Sequence, residues 1–202
     1  VMAPGRRPAV PWRRDPATPL WHAMPRSAQR GEAGFRLPPW LLYGPPGIGK
    51  SVWARQLTEM LGVPMRTIEA SGEQAAFGVV GVQRGWGSAF PGKPVQTIMQ
   101  HLVGNPVLVV DEVEKAGAAT STSGLRTSIT EGLLPLLERA TAKDWECPYY
   151  QVRFDMSWIS WILTANDIST LPEPFLSRVE VLKIEAPGRS DLVQFAPRMG
   201  VN

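Results

Sequence analysis

The segment LLYGPPGIGKS, Leu41 to Ser51, constrains the fold of this chain more than any other. Its apolar run halts at Gly44, two prolines stiffen the turn, Gly47 and Gly49 free the backbone, and Lys50 and Ser51 open a stretch with helical periodicity. In the order strand, glycine-rich turn, helix, backbone N–H groups curl inward at a helix N-terminus and form a cradle for phosphate. Gly44-Pro45-Pro46-Gly47-Ile48-Gly49-Lys50-Ser51 fits the whole phosphate-loop pattern. Lys50 is set to reach the β- and γ-phosphates, Ser51 to ligate magnesium, and Val52 to continue the first turn beside them. The competing reading is a proline-stiffened turn that only caps a helix; the preceding strand and following helix weigh against it.

The rest of the chain alternates in the same way. PWLLYG at 39–44, VPMRTIEA at 63–70, PVLVVDE at 106–112, SWISWILTAN at 157–166 and VEVLKIEAP at 179–187 read as strands, and PYYQVRFDM as a short strand or hairpin arm. The residues 50–62 place Val52, Leu57, Met60 and Leu61 on one helix face, stopped at Gly62. A second helix opens near Pro94 and carries Val95, Ile98, Met99 and Leu102, while a leucine-rich helix around 128–140 contains Pro135, a kink or a late first turn. Residues 72–92 are glycine-rich, and 116–126 are small and polar, hence a mobile loop. This pattern predicts an α/β P-loop NTPase with a mostly parallel five-stranded sheet between helices, its ligand chemistry at the carboxyl ends of the strands.

A phosphate loop by itself implies a nucleotide, not hydrolysis. In VLVVDEVEK, Asp111 leaves a continuously apolar strand where it can hold magnesium through water, and adjacent Glu112 can polarise an attacking water. Two acids ending a strand can also be solvated loop residues; a phosphate loop upstream favours the catalytic reading. No Asn-Lys-x-Asp segment for reading guanine is present, so ATP is the expected nucleotide. Asn166, just past ILTA, can orient the γ-phosphate or the water, or form only a local Asx cap. Arg178 can serve a helix dipole, or, in a ring, approach a neighbour's γ-phosphate. The expected catalytic set is therefore Lys50, Glu112, Asn166 and Arg178, with Ser51 and Asp111 on the metal.

Composition sets the outer limits. At 202 residues and 44% hydrophobic content the chain suffices for one full-sized domain. Its single cysteine, Cys147, excludes an internal disulfide and a cysteine-based zinc cluster. No apolar run approaches the roughly 18–20 residues of a membrane span, and the first residues lack a signal-peptide core, so a cytoplasmic location without membrane contact is expected. Residues 1–36 hold seven arginines against Asp15 and Glu32, a net +5 that leaves the remainder at −2. This Pro- and Arg-rich arm reads as a solvated linker, with Trp12 and Trp21 available for local docking and nucleic-acid contact as the weaker alternative.

The four elements in this order resemble the AAA+ ATPase superfamily: Walker A at 44–51, Walker B at 107–112, sensor 1 at Asn166 and an arginine finger at Arg178. More closely, GPPGIGKS, PVLVVDEVEK, GVQRGWGSAFPGKPVQTI and the run from FDMSWISWILTAND to SRVEVLKIEAPG are similar to the ATPase core of the Lon family of ATP-dependent proteases, over about residues 35–190. The resemblance implies an AAA+ large subdomain over 37–188, a hexameric ring as the family default, and a polypeptide substrate. It also implies that Trp86, beside Gly87, projects into a central pore, with Phe90 near the base of that loop. A core position is the alternative for both aromatics. An apolar ring can grip many sequences without reading one of them.

The resemblance has gaps. Pro135 stands where the family's helix has another residue, so the second pore-facing segment is expected to shift. No serine–lysine dyad is assignable, and proteolysis is not expected from this chain. Residues 189–202 read as the start of a truncated or absent helical lid, for which Arg189 and Arg198 are poor sensor 2 substitutes and which a partner chain can supply. The expected function is Mg-ATP binding and hydrolysis that drives protein remodelling or unfolding in a ring. The alternatives are a nucleic-acid-associated loader or helicase-like module, and an ATP-binding switch with little hydrolysis.

Overall fold

The computed structural model of the chain describes residues 34–72, 75–85, 87–116, 119–120 and 126–185. Residues 1–33 of the basic arm, Trp86 and the segment 189–202 lie outside the described residues. In chain order the elements are β1 (Trp40–Tyr43), α1 (Lys50–Leu61), β2 (Met65–Glu69), α2 (Ala75–Val80), α3 (Lys93–His101), β3 (Val107–Asp111), β4 (Ala119–Thr120), β5 (Arg126–Thr127) and α4 (Ile129–Leu137). They continue through α5 (Arg139–Ala142), β6 (Trp145–Cys147), β7 (Val152–Phe154), β8 (Ser160–Ala165), α6 (Glu173–Leu176) and β9 (Glu180–Lys183).

Five strands form one parallel sheet in the order β2-β3-β8-β1-β9. Alternation along each central strand explains why it is covered on both faces. Leu41, Leu108, Val110, Trp161, Leu163 and Ala165 enter one core with Val79, Val95 and Leu133. Trp40, Leu42, Val107, Val109 and Ile162 enter the other, against Trp53, Ala54 and Leu57 of α1. All six residues of β8 are buried, which fits its place between β1 and β3. The small hairpin of β6 with β7 is the antiparallel pair foreshadowed by PYYQVRFDM.

Helix α1 faces the sheet differently from the sequence expectation. Lys50, Trp53, Ala54, Leu57 and Thr58 are its buried residues, an i, i+3, i+4, i+7, i+8 stripe. Val52 is 51% exposed and Met60 36%. The rotation comes from the loop: Lys50 is buried toward it, and the residues one and two turns later are carried onto the same face. Trp53 then meets Trp40 with ring centroids 6.1 Å apart. Truncating Trp53 to Ala is expected to cost about 3–5 kcal/mol, read by chemical denaturation, because it opens a large hole in this core.

Other differences are local. In α3, which has Pro94 in its first turn, Val95 is buried and Ile98 packs against the same core, but Met99 and the C-cap residue Leu102 are 56% and 87% exposed, on the side turned away from it. The glycine-rich stretch contains the helix α2, whose short apolar face sequence periodicity was too brief to reveal. The loop expected over 116–126 includes paired strands β4 and β5; residues 117–118 and 121–125 lie outside the described residues. Pro135 does not end its helix: a capping box in which Ser128 Oγ accepts from Glu131 N at 3.1 Å starts α4, and the break comes at Glu138.

Candidate active site

Parallel pairing brings the expected residues to one end of the sheet. Strands β1, β8 and β3 are adjacent, and the chain leaves them at Gly44, Asn166 and Glu112 respectively. Register keeps these exits level: Tyr43 is opposite Ala165, and Gly44 N donates to Ala165 O at 3.3 Å. The first helical bond of α1 runs from Trp53 N to Gly49 O at 3.0 Å, so the N–H groups of Lys50, Ser51 and Val52 belong to the helix start, where an anion is favoured. Val52 contributes there through its backbone, its side chain being half exposed.

The loop's shape depends on two of its glycines. Gly49 has φ 81° and ψ 33°, a left-handed conformation at the helix entry. At Gly44 the constraint is space: an added Cβ would stand 2.2 Å from Ile184 O, at the end of β9. Pro45, Pro46 and Gly47 are exposed and Ile48 is half-buried.

Lys50 is buried, and all three of its donors are engaged. Nζ donates to Gly44 O at 2.8 Å, Pro45 O at 3.0 Å and Asn166 Oδ1 at 2.8 Å. Burial pulls its pKa below the ordinary lysine value, against the opposing influence of Glu114, Asp111 and Glu112. Ser51 Oγ lies 3.0 and 2.8 Å from the two carboxylate oxygens of Asp111. A hydroxyl beside a carboxylate is the hard-oxygen set that suits magnesium. No cluster of three or more His, Cys, Asp or Glu suited to a metal occurs among the described residues.

Glu112 has φ 55° and ψ 49°. This left-handed non-glycine conformation costs about 1–3 kcal/mol and turns the chain sharply as it leaves β3. Thr164, fully buried in β8, stabilises the turn: its Oγ1 accepts from Glu112 N at 3.0 Å and donates to the Asp111 carboxylate. Glu112 Oε1 pairs with Lys115 Nζ at 2.7 Å. Chiefly through that hydrogen bond, its carboxyl is held below the usual carboxylate range. Asn166 completes the cluster, with Nδ2 at 3.4 Å from Glu112 Oε1.

Two polar residues here escaped the sequence reading. Thr164 could have been found as the hydroxyl interrupting an otherwise apolar strand, and Glu114 as a third acid two positions past Glu112. Glu114 Oε1 accepts from Asn166 N at 2.9 Å and from Asn166 Nδ2 at 2.7 Å.

Arg178 stands apart from this cluster in the protomer. Its Nε is 3.3 Å from Glu138 Oε2, and NH1 donates to Pro174 O at 2.7 Å. Of the expected pore residues, Trp86 lies outside the described residues and Gly87 is exposed. Phe90 is half-buried; its carbonyl accepts from Val82 N at 2.8 Å, closing the base of the loop, and its side lines a cavity with Ile68, Gly78 and Lys93.

Comparison with known proteins points to one family. Residues 40–185 match the model of the ATPase family associated with various cellular activities, AAA. The chain is similar to a Lon protease of Magnetococcus marinus, 33% identical over 167 residues that make up 83% of this chain and 20% of that protein. It is similar to a Lon protease of Chlamydia pneumoniae, 33% identical over 157 residues, 78% of this chain and 19% of the relative. A mitochondrial Lon protease homolog of Yarrowia lipolytica is 31% identical over 144 residues, 71% of this chain and 12% of the relative. The chain thus spans about a fifth or less of the length of these relatives. With a parallel P-loop NTPase sheet and a family match that covers nearly all of the described residues, the chain belongs to the AAA family of ATPases.

Proposed function

We propose that this chain binds Mg-ATP and hydrolyses it, and that the hydrolysis drives remodelling or unfolding of a polypeptide by a ring of subunits. One observation carries the reading: Lys50, Ser51, Asp111, Glu112 and Asn166, linked through Thr164, form one hydrogen-bonded cluster at the ends of three adjacent strands. Membership of an ATPase family supports ATP-driven activity, and the similarity to Lon proteases supports polypeptide as the substrate class. The nucleotide-binding domain in this proposal is 37–188.

Each residue has a chemical task. The loop from Gly44 to Ser51 offers inward N–H groups to phosphate, and Lys50 brings positive charge by exchanging part of its carbonyl contacts for phosphate oxygens. Ser51 and Asp111 would hold magnesium, which when bound neutralises charge on the phosphate oxygens. Glu112, ionised, accepts a proton from the attacking water, and Asn166 orients that water or the γ-phosphate. Arg178 serves the site of the adjacent subunit in a ring, since in its own protomer it rests on Glu138 away from the cluster. Trp86 and Phe90 take the polypeptide in the pore.

Phosphate release from Mg-ATP, followed with and without an unfolded polypeptide, tests the proposal. Saturable release that the polypeptide stimulates, and that Trp86→Ala uncouples from polypeptide movement, is the expected result. ATP held without release in every assembled state would instead make the protein a nucleotide-dependent switch. Salt-sensitive DNA binding that is lost with residues 1–36 would support a nucleic-acid-associated module.

A further inference from the structure

The turn after β3 places a third carboxylate against the proposed site. A 3-10 turn over Val113–Lys115 is fixed by buried Val113, and its three-residue repeat puts Lys115 on the Glu112 side. Glu114 reaches Asn166, whose Nδ2 it shares with Glu112. One of its oxygens, Oε1, takes both N–H groups of Asn166, at 2.9 Å from the backbone and 2.7 Å from Nδ2. Its second oxygen is buried and has no hydrogen-bond partner among the described residues.

The amide of Asn166 has one orientation that satisfies these neighbours. Lys50 offers only donors and the two carboxylates only acceptors, so Oδ1 must face Lys50 and Nδ2 must face Glu114 and Glu112. Rotating the amide by half a turn would set oxygen against carboxylate and nitrogen against ammonium. The contact to Glu114 is the short one, 2.7 Å against 3.4 Å to Glu112. Two anchoring bonds from one oxygen, backbone and side chain, also fix where Asn166 sits at the end of β8.

We infer that Glu114 is a positioning residue that sets the place and the orientation of the Asn166 amide, and so presents Oδ1 to Lys50 and Nδ2 to the carboxylates of Glu114 and Glu112. The inference rests on the proposed hydrolytic function for the task of Asn166, but the orientation itself is a property of the protein without nucleotide. Thr164 acts in the same way, on Asp111 and Glu112. The two residues thus divide the support of the cluster between them.

Two measurements test the role. The Asn166 side-chain amide resonances of the 15N-labelled protein, assigned by their loss in Asn166→Ala, are expected to stand away from free-asparagine positions. They should collapse toward those positions in Glu114→Ala and largely persist in Glu114→Gln, which keeps an acceptor. In the hydrolysis assay Glu114→Ala is expected to lower kcat about 10- to 100-fold with nucleotide Kd within about threefold, and Glu114→Gln to recover most of the loss. The double variant Glu114→Ala/Asn166→Ala should be no slower than Asn166→Ala alone. Glu114→Met, which fills similar volume without an acceptor oxygen, replaces the alanine variant should that one unfold. An amide pair unchanged by loss of the carboxylate, or losses that add in the double variant, would overturn the assignment. Absence of phosphate release from the unaltered protein defeats the hydrolytic reading instead, and the amide resonances still decide the role of Glu114.

Discussion

Replacing Glu112 with Gln is expected to lower turnover at least about 100-fold while Mg-ATP binding stays within about threefold of the unaltered protein. The substitution removes the charge that accepts a proton and little else. Glutamine keeps one oxygen, and both contacts converge on a single oxygen of Glu112, Oε1: Lys115 Nζ at 2.7 Å and the weaker one from Asn166 Nδ2 at 3.4 Å. The left-handed turn at Glu112 is held through the backbone by Thr164, which the change leaves in place. Phosphate release at saturating nucleotide, with fluorescent-nucleotide binding alongside, reads both quantities. Wild-type turnover in the variant would remove Glu112 from the water-activating role.

Arg178→Ala is expected to reduce turnover about 1,000-fold in the assembled protein, with little effect on stability. Stability is spared because the contact with Glu138 is partly exposed, with side chains 32% and 46% accessible and N···O 3.3 Å, a geometry worth at most about 1 kcal/mol. The sharper result comes from mixing. When Arg178→Ala and Glu112→Gln subunits are combined, one supplies the carboxylate and the other the guanidinium at shared interfaces. In an equal random mixture about a quarter of the interfaces are complete, so activity should return to about a quarter of the unaltered level. An arginine acting within its own protomer would give no recovery on mixing.

The sequence made the centre of the fold legible because there the chemistry is local. The loop from Gly44 to Ser51, the apolar run before Asp111 and the buried strand before Asn166 each declare themselves within ten residues, and the order of strands and helices implied parallel pairing. Strand adjacency then did the rest, since β8 lies between β1 and β3 and brings the three segments together. What the sequence hid depends on rotation and on partners distant in the chain. Val52 looked like core until the loop fixed the turn of α1 and gave that face to Trp53 and Ala54. Met99 and Leu102 are apolar but face away from the sheet. Thr164 and Glu114 matter only through residues 52 to 53 positions away, a separation no local pattern carries. Arg178 is legible as a residue, but its proposed use requires a second subunit, and the single protomer displays its contacts with Glu138 and the Pro174 carbonyl.

The most direct test of a hydrolytic site completed by a neighbour is phosphate release per protomer from Mg-ATP, measured across protein concentration with native mass recorded in the same solutions. Turnover per protomer should rise as the ring assembles and vanish when magnesium is chelated. Equal turnover in monomer and assembly, or none from an assembled protein saturated with ATP, would contradict it.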